Sequence, residues 1–230
     1  MSTSWEVKVA DKRSRILASV PSEFQHPELK HSLADTASVM NVPEKCLSAR
    51  ELDVTAMRAS MLVSTIARRQ FSSVEVLNAF THRAAIAHRL LNCCLAIPYD
   101  LALARAKELD AFQSRTGRTT GPLHGLPISV KDQCRLIGTE TTCGFVYPIG
   151  KVDQDDAVIV KVLKKAGANV FAKTSLSIGC MWVSLTRYCH DVSPPLTDSR
   201  VRQSTAFLVV PPIRSINLFL AAAAPVVRAH

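Results

Sequence analysis

Glycine is confined to one stretch of this 230-residue chain: all eight lie between Gly117 and Gly179, so the first 116 residues and the last 51 contain none. A glycine-free N-terminal half excludes a chain built from tight hairpins and suits one built mostly from helices. Aromatics are also sparse, with two Trp, three Tyr and eight Phe. Lys and Arg outnumber acids 28 to 19, a formal +9 that favours anionic partners. The longest basic clusters, Lys12-Arg13, Arg68-Arg69 and Lys164-Lys165, form no continuous stripe, and few aromatics interleave them. Specific nucleic-acid binding is therefore excluded as the leading reading.

Long apolar runs are missing too. The longest, Leu218 to Val227, is broken by Pro225 and is shorter than the ~20 residues that cross a bilayer. The first ten residues carry Trp5, Glu6 and Lys8 where a secretory signal needs an apolar run. The seven cysteines (46, 93, 94, 134, 143, 180 and 189) are odd in number and lack C-x-x-C spacing. Reduced thiols, a cytoplasmic location and no membrane partner are the expectations.

What is present reads as alternating helix and strand. Residues 52–69 carry Leu52, Ala56, Ala59, Leu62, Val63 and Ile66 at helical spacing. Ser72-Ser73-Val74-Glu75 reads as a capping box opening a helix over 73–91, with Leu77, Phe80, Ala84, Ala87 and Leu91 on one stripe and Arg83, His88 and Arg89 turned elsewhere. Residues 93–97 read as a short buried strand, followed by a helix over 100–115 that Asp100 caps and Gly117 ends. A strand over 127–131, a helix over 156–166 that stops at Gly167, and a strand over 168–172 complete the pattern. Lys173-Thr174 reads as the loop after that strand. The class is α/β, a sheet covered by helices. Three regions are expected: a helical or extended arm over 1–50, an α/β unit over 51–182 and a divergent, poorly packed tail over 183–230. Past Lys173 the tail has neither Lys nor Glu, and Pro pairs at 194–195 and 211–212 interrupt its apolar runs.

The run GPLHGLPISVKDQ, from Gly121 to Gln133, resembles the N-terminal part of the amidase signature family, in its fungal acetamidase or general amidase branch. Other matching segments, in the same order, are Trp5-Glu6, Ala10 to Arg13, Phe71 to Val76, Arg83 to His88, Arg105 to Asp110, Lys164 to Ala168, Ala172 to Thr174 and Met181-Trp182. The resemblance spans about residues 5–182. It implies a mixed sheet flanked by helices, incomplete in this chain, and hydrolysis of a small-molecule carboxamide to carboxylate and ammonia by a Ser-Ser-Lys triad. No cofactor and no metal are implied.

Within that triad the resemblance assigns the lysine to Lys131, held neutral so that it accepts a proton through a bridging serine. Desolvation after an apolar strand favours an uncharged lysine. From the strand pattern alone Lys131 is a strand-end lysine reaching solvent; the motif around it reverses that reading. Asp132 is assigned to structure, pairing with a cation or capping a turn, and His124 to a satisfied structural role. The family's Gly-Gly-Ser-Ser-Gly-Gly and Asp-Ile-Gly-Gly-Ser stretches, whose backbone N–H groups would serve an oxyanion, do not occur in the sequence. None of Ser184, Ser193, Ser199, Ser204 and Ser215 has glycine flanks, so none receives a role. The expectation is a truncated chain that retains only Lys131 of the triad and does not turn over by itself. The alternative is a non-catalytic truncated isoform or interaction fragment. Self-association through exposed apolar surface is expected in either case.

Overall fold

A computed structural model describes residues 4–29 and 39–176. The expected tail over 183–230 lies outside the described residues. In chain order the elements are α1 (Trp5–Ala18), α2 (Val42–Cys46), α3 (Ala49–Ala56), α4 (Ala59–Ala67), α5 (Ser73–Leu91), β1 (Cys94–Ala96), α6 (Tyr99–Thr116), β2 (Pro127–Lys131), α7 (Val158–Lys165) and β3 (Asn169–Thr174). Among the described residues, no helix is long and apolar enough to cross a membrane.

α5 is the organising helix. Its first turn is closed twice over. Ser72 Oγ accepts from the Glu75 N–H at 3.0 Å while the Glu75 carboxylate accepts from the Ser72 N–H, the capping box expected from the sequence. Asp110, from α6, accepts the Ser73 and Val74 N–H groups at 2.7 and 3.1 Å, so the two helices are tied at the same end. Ser72→Ala removes one of these acceptors and should cost about 1 kcal/mol. Urea denaturation of the two proteins checks this, and an unchanged midpoint would show that Asp110 alone closes the turn.

Along its length α5 is covered on more than one side. Val76, Leu77, Phe80 and Ala84 pack with Leu62, Ile66 and Phe171, whereas Ala85 and Ala87 join Ile16, Val20, Cys93, Cys94 and Ile97 beneath α1. His88, expected off the apolar stripe, is accordingly buried as well. Its Nδ1 accepts the Cys94 N–H at 3.2 Å, and burial, with help from Arg89, lowers its pKa to about 4. One apolar stripe underestimates a helix that is enclosed.

The sheet has the order β1-β3-β2, with β1 antiparallel and β2 parallel to β3. This is the mixed sheet flanked by helices that was expected. α7 links β2 to β3, and Val160 fills the space under it with Val130, Leu136 and Val170. Phe171 faces the other way, into the α4–α5 cluster. The signature segment is zipped onto the turn before β3: Leu123 N–H donates to Ala166 O, Gly125 N–H to Gly167 O, and Asn169 N–H to Leu126 O, each at 2.9 Å. A Cβ at Gly121 would stand 2.5 Å from Ala166 O, so the close approach requires glycine there.

Two boundaries differ from the sequence reading. The helix expected over 52–69 is two helices, because Met57 and Arg58 are extended with ψ near 145° and turn the chain between them. β3 runs to Thr174, two residues beyond the strand expected over 168–172. Lys173 was read as loop because a charge follows an apolar run. Its charge is met inside the protein, so the strand continues through it.

Candidate active site

Lys131 closes β2 at the carboxyl end of the β2–β3 parallel pair, opposite Thr174. Carboxyl ends of parallel strands are where open α/β sheets gather their sites. The peptide that follows Lys131 is held at both its polar atoms: the Asp132 N–H donates to Thr174 O at 3.0 Å, and Lys131 O accepts the Cys134 N–H at 2.9 Å. The Lys131 side chain is exposed, not directed into the interior as the resemblance implied. Strand alternation gives the physical reason. Val130 and Ile128 fill the α7 side, so Lys131, the last residue of the strand, takes the opposite face at its open end.

Next to Lys131, Asp132 meets the cation expected of it, and that cation is Lys173, which was expected in a loop and lies opposite Val130. Lys173 and Asp132 are both fully buried, with Nζ 3.4 Å from Asp132 Oδ1. Lys173 Nζ also donates to Glu140 O at 2.9 Å and to Thr141 Oγ1 at 2.7 Å. Burial pushes the Lys173 pKa below its ordinary value, and the Asp132 carboxylate opposes that shift. Asp132 Oδ2 accepts the Thr142 N–H, the Thr142 hydroxyl and the Cys143 N–H at 2.8–2.9 Å. Asp132 thus fills both structural roles expected of it, ion pair and turn cap. The signal for Lys173 was its position after the three apolar strand residues Val170, Phe171 and Ala172, matched by an acid just past the neighbouring strand.

A second cluster ties α1 to the same loop. Glu140 accepts from Lys12 Nζ at 2.8 Å, from Arg15 at 3.1 Å and from the Gly150 N–H at 3.1 Å. Burial would raise the Glu140 pKa, but the Lys12 and Arg15 contacts outweigh it and hold the carboxyl below its ordinary value. A carboxylate with a depressed folded-state pKa contributes stability above its unfolded pKa and loses it as pH falls through the folded value. Wild-type stability should therefore fall as pH drops below about 4.5, and Glu140→Gln should flatten that part of the curve. Melting temperatures between pH 6 and pH 3 check it; parallel curves would show that Glu140 does not contribute.

His124 is buried in the signature turn, with Nδ1 accepting the Thr120 N–H at 3.1 Å and its pKa lowered by burial. That places its proton on Nε2, in the neutral form. The five described cysteines, 46, 93, 94, 134 and 143, are free thiols. Among the described residues no group of three or more His, Cys, Asp or Glu side chains converges as metal ligands. The site therefore consists of one exposed lysine on a rigid strand end, backed by a buried Lys173–Asp132 pair that fixes the following loop.

Comparison with known proteins agrees with the motif. Residues 75–201 match the family described as Amidase. The chain is 44% identical over 178 residues to the acetamidase of Emericella nidulans, covering 76% of this chain and 32% of that protein. It is 43% identical over 177 residues to the acetamidase of Aspergillus oryzae, with coverage of 76% and 32%. Among solved structures it is similar to a fatty acid amide hydrolase, with a TM-score of 0.65 and 29% identity over 76% of this chain and 32% of that one. It is also similar to the peptide amidase of Stenotrophomonas maltophilia, with a TM-score of 0.50 and 32% identity over 54% of this chain and 25% of that one. The chain spans about a third of the length of the curated relatives it matches.

Proposed function

This chain belongs to the amidase signature family, and from that premise we propose that it carries the lysine-bearing part of an amide-hydrolysing site, with Lys131 as the proton acceptor. The observation that carries the reading is Lys131 at the carboxyl end of β2, inside the GPLHGLPISVKDQ run, with the peptide that follows it hydrogen-bonded at both its polar atoms. In the reaction a serine hydroxyl attacks the amide carbonyl, its proton passes through a second serine to the Lys131 amine, and the amide nitrogen leaves as ammonia. Water then releases the carboxylate and regenerates the serine. Lys131 accepts and returns the proton where the serine-bearing remainder of such a site covers it and withdraws it from water. Asp132 and Lys173 touch no substrate and position the strand end.

The substrate class is a small carboxamide, a reading supported by the two acetamidases. The 230-residue sequence contains neither serine-bearing glycine-rich stretch, so the chain alone has Lys131 and no nucleophile with the required flanks. Purified chain given acetamide should release ammonia at the uncatalysed rate. Turnover above that rate would place a nucleophile outside these stretches and reject the expectation that the chain alone is inactive, and turnover that Lys131→Ala leaves unchanged would reject Lys131 as the proton acceptor.

A second reading, an interaction part without turnover, is favoured by the surface of α7. Val158, Ile159 and Val162 are 78, 48 and 56% exposed, and among the described residues the outer edges of β1 and β2 pair with no further strand. Contiguous apolar surface beside open strand edges promotes association. Sedimentation of the chain should show concentration-dependent self-association that Val158→Glu combined with Val162→Lys reduces. A monomer at all concentrations would remove this reading.

A further inference from the structure

A linked pair of histidines lies away from Lys131, where α5 meets the loop that follows α1. His82, buried on α5, has Nδ1 at 2.7 Å from Glu51 Oε1. Glu51 is itself held by the Ser48 N–H and hydroxyl at 2.8 and 2.6 Å, through the capping box of α3. His26 has Nδ1 at 2.7 Å from Glu28 Oε1. The two Nε2 atoms are 2.8 Å apart, the ring planes lie within 4° and the centroids are 5.0 Å apart. That separation fits rings meeting edge to edge, nitrogen to nitrogen. Phe24 stacks on His82, with ring centroids 4.7 Å apart.

The hydrogen-bond balance makes this arrangement chemically specific. Each Nδ1 lies 2.7 Å from a glutamate oxygen, Glu28 Oε1 for His26 and Glu51 Oε1 for His82, and a carboxylate oxygen accepts. Both glutamates are therefore acceptors, and each ring donates through Nδ1–H. Two Nε2 lone pairs then aim at one point, which is favourable only with a positive centre between them. A shared proton meets that need, and so does a metal ion.

We propose that His26 and His82 form a two-histidine site for a divalent transition-metal ion of the zinc and cobalt class, with Glu28 and Glu51 orienting the rings through Nδ1. Imidazole nitrogen suits these ions and not magnesium or calcium, and a carboxylate behind each ligating imidazole is the usual outer shell of such sites. With metal–nitrogen bonds of about 2.0–2.1 Å, tetrahedral coordination needs the two nitrogens roughly 3.3 Å apart, about 0.5 Å beyond their present gap. His26 supplies that movement. Its side chain is 18% exposed and sits on a short surface segment, whereas His82 is fixed between Glu51 and Phe24. The ion takes the place of the proton between the rings, that proton leaves to solvent, and water fills the remaining coordination positions.

The test titrates the full 230-residue chain with cobalt(II) and follows visible absorption, with zinc as competitor. Wild type should show a tetrahedral cobalt spectrum without the near-ultraviolet thiolate band, which distinguishes histidine ligation from binding at the cysteines. His26→Gln should lose that spectrum, and Glu28→Gln should weaken binding by about tenfold. Both substitutions lie on the surface segment, and unchanged far-ultraviolet dichroism shows that the variants remain folded. No cobalt spectrum in wild type would mean that the rings share only a proton and would overturn the proposal. A His26→Gln protein that binds cobalt as wild type does would overturn it equally.

Discussion

In a fusion of residues 1–176 with the corresponding remainder of the Emericella nidulans acetamidase, Lys131→Ala should lower kcat for acetamide by roughly 10²–10⁴-fold while leaving the melting temperature unchanged. The two halves of this expectation have separate causes. Lys131 is exposed, its neighbours Val130 and Asp132 supply the packing and the ion pair, and its backbone hydrogen bonds survive truncation of the side chain. Little stability is therefore at stake. The rate depends on it because a serine hydroxyl is a weak nucleophile until its proton has somewhere to go. Lys131→Arg should not rescue the rate, since a guanidinium does not give up its proton at working pH. A variant with full activity would show that the proton acceptor is another group.

Lys173→Met should have the opposite signature, a loss of stability of about 3–5 kcal/mol and a fall in melting temperature of roughly 10 °C. Methionine fills much of the space but leaves the Asp132 carboxylate buried without its cation, and leaves Glu140 O and Thr141 Oγ1 without their donor. The Asp132 hydrogen bonds to Thr142 and Cys143 remain, so the loop keeps part of its hold on β2. Adding Asp132→Asn to Lys173→Met should recover part of the loss, because the uncompensated charge is then gone. Calorimetry of Lys173→Met, Asp132→Asn and the double variant measures this directly. Additive losses in the double variant would show that the two side chains do not act as a pair.

How much of this was legible in the sequence depended on whether the signal was local. The α5 start was legible because Ser72 and Glu75 state the capping box within four residues, and the end of α6 because Gly117 takes φ +69°. The break between α3 and α4 was not, since Met57 and Arg58 carry no turn chemistry yet both are extended. Lys131 was found through the motif around it, and its exposure was not foreseen because burial depends on what covers the sheet. Lys173 and Asp132 are 41 positions apart, and Lys12 and Glu140 are 128 apart. Pairing at such separations follows from β2 lying beside β3 and from α1 lying across the loop, which periodicity does not encode. The His26–His82 pair was missed for the same reason, its members being 56 positions apart.

The measurement that bears most directly on the account is the initial rate of ammonia release from acetamide by the folded fusion, taken beside the 230-residue chain at equal concentration. The account predicts turnover by the fusion and only the uncatalysed rate from the chain, because residues 1–176 supply Lys131 on its clamped strand end and the acetamidase remainder supplies the serines. A fusion that melts cooperatively yet releases no ammonia would contradict it.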